Sequence, residues 1–207
     1  MALVTSLIVL FFSIVIHEVA HGGMALHLGD PTAKNEGRLT LNPLKHIDPF
    51  GTIFLPIFTF AIRAITGWGV VFGMAKPVPV NPFNFRDKKW GNLKVSIAGP
   101  AANLLLALIF GFAVRFMILP GAMAELFAIV VFYNVLWAFF NLVPIPPLDG
   151  SHILFSFLPE RFQSFRLFIK QHGFLILLIF LFTFGLELLG YLSRYAYFFI
   201  TGQPSVI

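Results

Sequence analysis

His17-Glu18-Val19-Ala20-His21 places two imidazoles four residues apart with a carboxylate beside the first. Four residues amount to about 40° around an α-helix, so both rings share a face and can reach one ion. A Glu beside such a pair suits metal-assisted hydrolysis, with zinc as the ordinary ion and the carboxylate as general base. The chain has no cysteine, so a metal must be held by His, Asp or Glu. A catalytic zinc takes three protein ligands and keeps one position open. The best third ligand is Asp149, at the end of Asn141-Leu142-Val143-Pro144-Ile145-Pro146-Pro147-Leu148-Asp149-Gly150, with His152 and His46 as rivals. Asp-Gly alone is an ordinary turn, and it is the pairing with His17 and His21 that favours ligation. Asn141 is an amide on an otherwise apolar stretch. It can donate to a developing oxyanion or bond a neighbouring helix.

The motif lies inside a hydrophobic run, roughly Leu3–Leu28, that holds no Lys or Arg. Ionisable groups at bilayer depth are costly and mark function. The whole chain agrees with this setting. Of its 207 residues 58% are hydrophobic and 11% charged, against about 25% charged in a soluble domain. A polytopic membrane protein is expected, and the net charge of +5 is better read through the loops than as nucleic-acid affinity. Three more runs approach the ~20 residues that cross a bilayer, roughly Val95–Leu119, Leu126–Val143 and Phe174–Leu192. Phe50–Ile65 is shorter, carries Pro56 and Arg63, and reads as a re-entrant segment.

Cations then set the topology. Lys34, Arg38 and Lys45 follow the first run, Arg86, Lys88, Lys89 and Lys94 precede the second, and Arg161, Arg166 and Lys170 follow the third. Positive loops face the cytoplasm. The His21 end of the first run and the Asp149 end of the third therefore share that side. Ser151–Gln171 reads as a hydrophobic turn plus an interfacial amphipathic helix, and Tyr195–Phe199 as an interfacial aromatic segment. Gly37–Asn42 and Val70–Val80 are extended in character, and their prolines confine any strand to a sheet edge. A small β element beside the first helix is expected. The chain reads as one integral domain over 1–207, with a catalytic core of about 3–155 and a C-terminal amphipathic segment and helix over about 156–207.

Together these motifs resemble the site-2 protease family of intramembrane metalloproteases, the M50 type. The resemblance is carried by His17 to His21, Gly37-Arg38-Leu39-Thr40 with Asn42-Pro43, Lys76-Pro77-Val78-Pro79-Val80-Asn81, Ala98-Gly99-Pro100 with Asn103, and Asn141 through Asp149-Gly150. These run in family order over about residues 10–155. The resemblance implies that His17, His21 and Asp149 bind one zinc ion, that Glu18 is the general base and that Asn141 assists at the oxyanion. It implies an α-helical polytopic membrane protein with a three-helix catalytic core and a membrane-associated β element that holds substrate extended. The implied substrates are transmembrane proteins within the lipid bilayer, cut in regulated intramembrane proteolysis, with no nucleic acid involved. A homo-oligomer and a gating partner are both compatible with this. The chain looks like the compact bacterial or archaeal type without PDZ or CBS domains, in the plasma membrane with its active site toward the cytoplasm. The alternative is a non-catalytic membrane zinc-binding or substrate-binding protein, which would give Glu18 no essential role. Asn103 and Asn134 read as packing polar residues, and Glu36 and Asp48 as solvated carboxylates.

Overall fold

The computed structural model describes residues 2–67, 73 and 75–205. The chain begins with α1 (Ala2–His27), a short turn of helix α2 (Thr32–Asn35), a π-helical turn over Pro49–Phe54 and α3 (Leu55–Thr66). Then come α4 (Gly91–Phe116), α5 (Gly121–Leu142), α6 (Asp149–Phe157) and α7 (Gln163–Phe180), which continues through a π-helical turn over Leu181–Gly185 into α8 (Leu186–Thr201). Among the described residues four stretches are long and apolar enough to cross a membrane: Val4–His27, Gly91–Phe116, Gly121–Leu142 and Glu160–Thr201. The chain is a multi-pass membrane protein. Large apolar side chains such as Ile8, Phe12, Leu105, Ile109, Phe112 and Phe182 face outward. In water such a surface would drive association, whereas hydrocarbon solvates it.

Helices α1, α4 and α5 pack against one another, α8 lies along α4 and α5, and α6 returns against α4 and α5. The apolar core of the α4–α5–α8 half is Ala107, Ala128, Val131, Phe132, Val135 and Tyr197. Small residues set the close approaches, because between membrane helices contact itself supplies the attraction. A Cβ on Gly111 of α4 would run into Ile200 Cγ2 of α8.

The loops repeat one device. Asn42-Pro43, Asp48-Pro49 and Asn81-Pro82 each open a short helical turn, with the Asn or Asp side chain accepting a backbone N–H two or three residues on. The proline supplies a preset φ at a position that needs no N–H. Asp48, expected to be merely solvated, is such a cap and accepts from Gly51 N at 2.6 Å.

Several expectations change. No β-strand forms among the described residues, and Gly37–Asn42 is turn and extended chain. Pro77 and Pro79 have no N–H to give a ladder, and the segment is held by isolated bonds, Lys76 N to His46 O and Arg38 Nη2 to Lys76 O. The Val70–Met74 part of that expectation, Gly73 apart, lies outside the described residues. The re-entrant stretch Phe50–Ile65 is the Pro49–Phe54 turn followed by α3, and residues 68–72 beyond it lie outside the described residues. The amphipathic stretch before residue 171 is not a separate interfacial helix: from Gln163 it runs on into the last spanning segment. Tyr195–Phe199 lies near the end of α8, with Tyr197 buried and Tyr195 and Phe199 exposed.

Candidate metal centre

His17 and His21 lie one turn apart in α1, and both are buried. Asp149 arrives from the opposite end of the sequence. Helix α5 stops at Leu142, and the proline-rich turn Val143–Leu148 folds back so that α6 begins at Asp149. Gly150 makes this fold possible, because a Cβ there would run into the Leu142 carbonyl. Ser151, at 1% exposure, closes the turn by donating Oγ to Leu148 O at 2.7 Å.

The result is a convergence of three atoms. His17 Nε2 lies 3.0 Å from His21 Nε2 and 3.0 Å from Asp149 Oδ2, and His21 Nε2 lies 3.2 Å from the same oxygen. Among the described residues this is the one group of His, Asp or Glu able to hold a metal ion. Its fit to zinc can be tested on the protein's own hydrogen bonds. His17 Nδ1 is 2.7 Å from Asn103 Oδ1, and His21 Nδ1 is 2.7 Å from Val95 O. A backbone carbonyl can only accept, and a metal-bound His usually gives its second N–H to a carbonyl or carboxylate. Each Nδ1 therefore carries a proton, and each Nε2 of a neutral ring presents a lone pair. Two lone pairs and a carboxylate oxygen meeting at 3.0–3.2 Å call for a cation between them. Tetrahedral zinc with bonds of ~2.0–2.1 Å sets its ligands about 3.3 Å apart, close to what is present.

Room for an ion comes from α4. At Gly99 a Cβ would lie 2.5 Å from His21 Nε2 and 2.6 Å from His17 Nε2. The next residue is Pro100, which leaves the Ser96 carbonyl without its helical donor. Protons are the alternative to an ion: burial alone would raise the Asp149 carboxyl, but hydrogen bonds and charge from protonated His17 and His21 outweigh it and hold the group down to about 2. The acid stays a carboxylate, the form a cation needs, and protons compete with metal for this cluster.

Glu18 stands beside the trio, half-buried. Its Oε2 accepts from Val78 N at 2.8 Å, and its other oxygen takes no hydrogen bond among the described residues. Val78 belongs to the Pro-Val-Pro stretch packed on α1, where a Cβ on Gly22 would lie 2.6 Å from Leu39 Cδ2 and 2.8 Å from Val78 Cγ1. Asn141 is buried at the end of α5, with Nδ2 donating to Trp137 O at 3.0 Å in its own helix. It is not hydrogen-bonded to the trio. The rivals to Asp149 lie elsewhere. His46 is fully buried and donates to Thr40 O at 2.9 Å, and His152 stays outside the cluster. Burial holds the His152 imidazole below its ordinary value.

Sequence reasoning missed the support shell: Asn103, the Val95 carbonyl, the space at Gly99 and the Val78 N–H. Asn103 reads from sequence as a packing residue, yet it touches His17, 86 residues away. The available signal was its spacing, four residues after Gly99 on a helix that had to face α1.

Comparison with known proteins follows the same line. A family model described as peptidase family M50 matches residues 117–181. The chain is 38% identical over 181 residues to the Bacillus subtilis protein named "Putative zinc metalloprotease YwhC", covering 83% of this chain and 77% of that one. It is 34% identical over 198 residues to "Putative zinc metalloprotease Rip2" of Mycolicibacterium smegmatis, covering 94% and 73%. An 88-residue match at 34% links it to "Putative zinc metalloprotease MJ0611" of Methanocaldococcus jannaschii, covering 41% and 46%. No solved structure matches. With two relatives matched over most of both chains, this multi-pass protein belongs to peptidase family M50, the site-2 proteases.

Proposed function

We propose that this chain is a zinc-dependent endopeptidase that hydrolyses a peptide bond within or beside a transmembrane segment of a membrane protein, as in regulated intramembrane proteolysis. The observation that carries this is the convergence of His17, His21 and Asp149 next to Glu18, with both imidazoles and Glu18 on a helix long and apolar enough to span the membrane. The relatives' names, zinc metalloproteases, agree with it. His17, His21 and Asp149 hold the zinc. Bound there, zinc supplies Lewis-acid chemistry, acidifying a water and polarising a carbonyl.

The chain's own residues do the rest. Val78 N–H fixes one oxygen of Glu18, which leaves the other to take a proton from the attacking water. The same carboxyl then passes that proton to the leaving amide nitrogen. Asn141 uses one Nδ2 proton on Trp137 O and has a second for charge developing on the scissile carbonyl oxygen. A helical substrate hides its carbonyls in hydrogen bonds and must unwind. The backbone N–H groups of Leu39, Thr40 and Leu41 donate to nothing among the described residues, so a substrate strand added along Gly37–Asn42 would recover lost bonds. The basic loops support a site toward the cytoplasm, and the bacterial and archaeal relatives support a cell membrane of that kind.

The test is purified protein in detergent beside Glu18→Gln, assayed for zinc content and for cleavage of a single-pass membrane substrate. We expect one zinc per chain in both and cleavage reduced by about 10²–10⁴-fold in the variant. Zinc in both with no Glu18-dependent cleavage across several substrates would favour a binding protein. An absence of zinc in both would overturn the reading.

A further inference from the structure

We propose that α4 is the positioning surface for the metal ligands, and that Asn103 is a positioning residue that fixes the tautomer and aim of His17. This rests on reading His17, His21 and Asp149 as a metal centre. Val95, Gly99 and Asn103 are spaced four residues apart and form one stripe on α4. Val95 O takes His21 Nδ1 at one end, Asn103 Oδ1 takes His17 Nδ1 at the other, and Gly99 lies between, against both Nε2 atoms. The two rings thus straddle Gly99. Their Nδ1 atoms are drawn apart along the stripe and their Nε2 atoms meet over the gap, with ring planes at 88°.

The amide of Asn103 cannot be turned round. Its Nδ2 donates to Ser13 O at 3.1 Å and to Asn134 Oδ1 at 2.8 Å. Asn134 Nδ2 in turn donates to Val130 O and to Ser13 Oγ, each at 2.9 Å, and Ser13 Oγ donates to Val9 O at 2.8 Å. Three backbone carbonyls, those of Ser13, Val130 and Val9, accept and never donate. They give the network one polarity, so Asn103 can offer His17 only an oxygen. His17 must then carry its proton on Nδ1 and leave Nε2 for the ion. Ser13, Asn103 and Asn134 are all buried, where a mispaired amide is costly.

The test uses the full chain in detergent micelles with Co²⁺ as probe. Wild type, Asn103→Leu and Asn103→Asp are titrated and read by the visible spectrum of the bound ion. Asn134→Leu serves as a control that disturbs the network but keeps the Asn103 oxygen. We expect Asn103→Leu to bind Co²⁺ about 10–100-fold more weakly with an altered spectrum. Asn103→Asp keeps the acceptor toward His17 but sets a carboxylate oxygen against Ser13 O and Asn134 Oδ1, where the amide donated; it and Asn134→Leu should each bind more tightly than Asn103→Leu. Equal Co²⁺ affinity in wild type and Asn103→Leu, or equal loss in all three variants, would overturn the assignment. No binding by wild type would instead remove the metal-centre reading beneath it. ¹⁵N-histidine NMR of the zinc-loaded wild type needs no variant to fold: a protonated Nδ1 on His17 is expected, and a protonated Nε2 would refute the proposal.

Discussion

At the scale of single residues the centre is crowded on its α4 side. Gly99 is the clearest case, since any L side chain there would occupy the place where both Nε2 atoms point. Gly99→Ala is expected to abolish stoichiometric zinc while circular dichroism still shows a helical protein. Full zinc occupancy in that variant would mean that α4 does not wall the centre. Residue types and spacing made His17, Glu18, His21 and Asp149 legible because metal chemistry restricts ligands to few side chains and HExxH fixes two of them on one turn. The contact between Asn103 and His17 was not legible. A polar residue on an apolar helix says that a partner exists, and only packing says that the partner is His17.

At the scale of elements, hydrophobic length located the helices to within a few residues. The first run was expected over Leu3–Leu28 and is Ala2–His27; the third was expected over Leu126–Val143 and is Gly121–Leu142. The fourth, expected over Phe174–Leu192, lies inside a longer continuous helix, because helical hydrogen bonding runs on through Arg166 and Lys170, which look like an end to a membrane span. Loops were harder, since their shape depends on individual side-chain bonds. Asp30 is the leading example: fully buried, it accepts from Thr32 N and Oγ1, from Asn81 N at 2.7 Å and from Asn84 Nδ2 at 2.7 Å. It thereby ties the end of α1 to the stretch that follows Val78. Burial alone would raise its carboxyl, but these bonds outweigh that and hold it below the ordinary value. A folded-state value below the unfolded one means stability that is complete above the unfolded carboxylate range and is lost as pH falls through the folded value. Asp30→Asn should therefore be less stable than wild type at pH 7 by about 1–3 kcal/mol. That difference should shrink in acid below the carboxylate range, as read by thermal unfolding of metal-free protein in detergent. A gap that persists unchanged in acid would show that the charge is not what matters.

At the scale of the molecule, the centre belongs to α1, α4 and the α5–α6 turn, while α8 packs on the far side of α4 and α5. The two should be separable. Gly111→Leu pushes on Ile200 and should lower thermal stability by about 1–3 kcal/mol through overpacking. Its zinc affinity should remain near that of wild type, as competition with a chromophoric chelator would measure. A parallel loss of zinc would show that α8 braces the centre as well. Such couplings cannot be read from hydropathy, which reports that a helix is in lipid but not which neighbour it leans on.

Asp149 stands 132 residues after His17 and 128 after His21, and the Nδ1 partners of the two rings lie in between. A chain that is still being inserted carries His17, Glu18 and His21 but neither the Asp149 oxygen nor, until α4 docks, any fixed orientation for its imidazoles. On the proposed reading, proteolytic competence therefore waits until Asp149 has been made and α4 has docked.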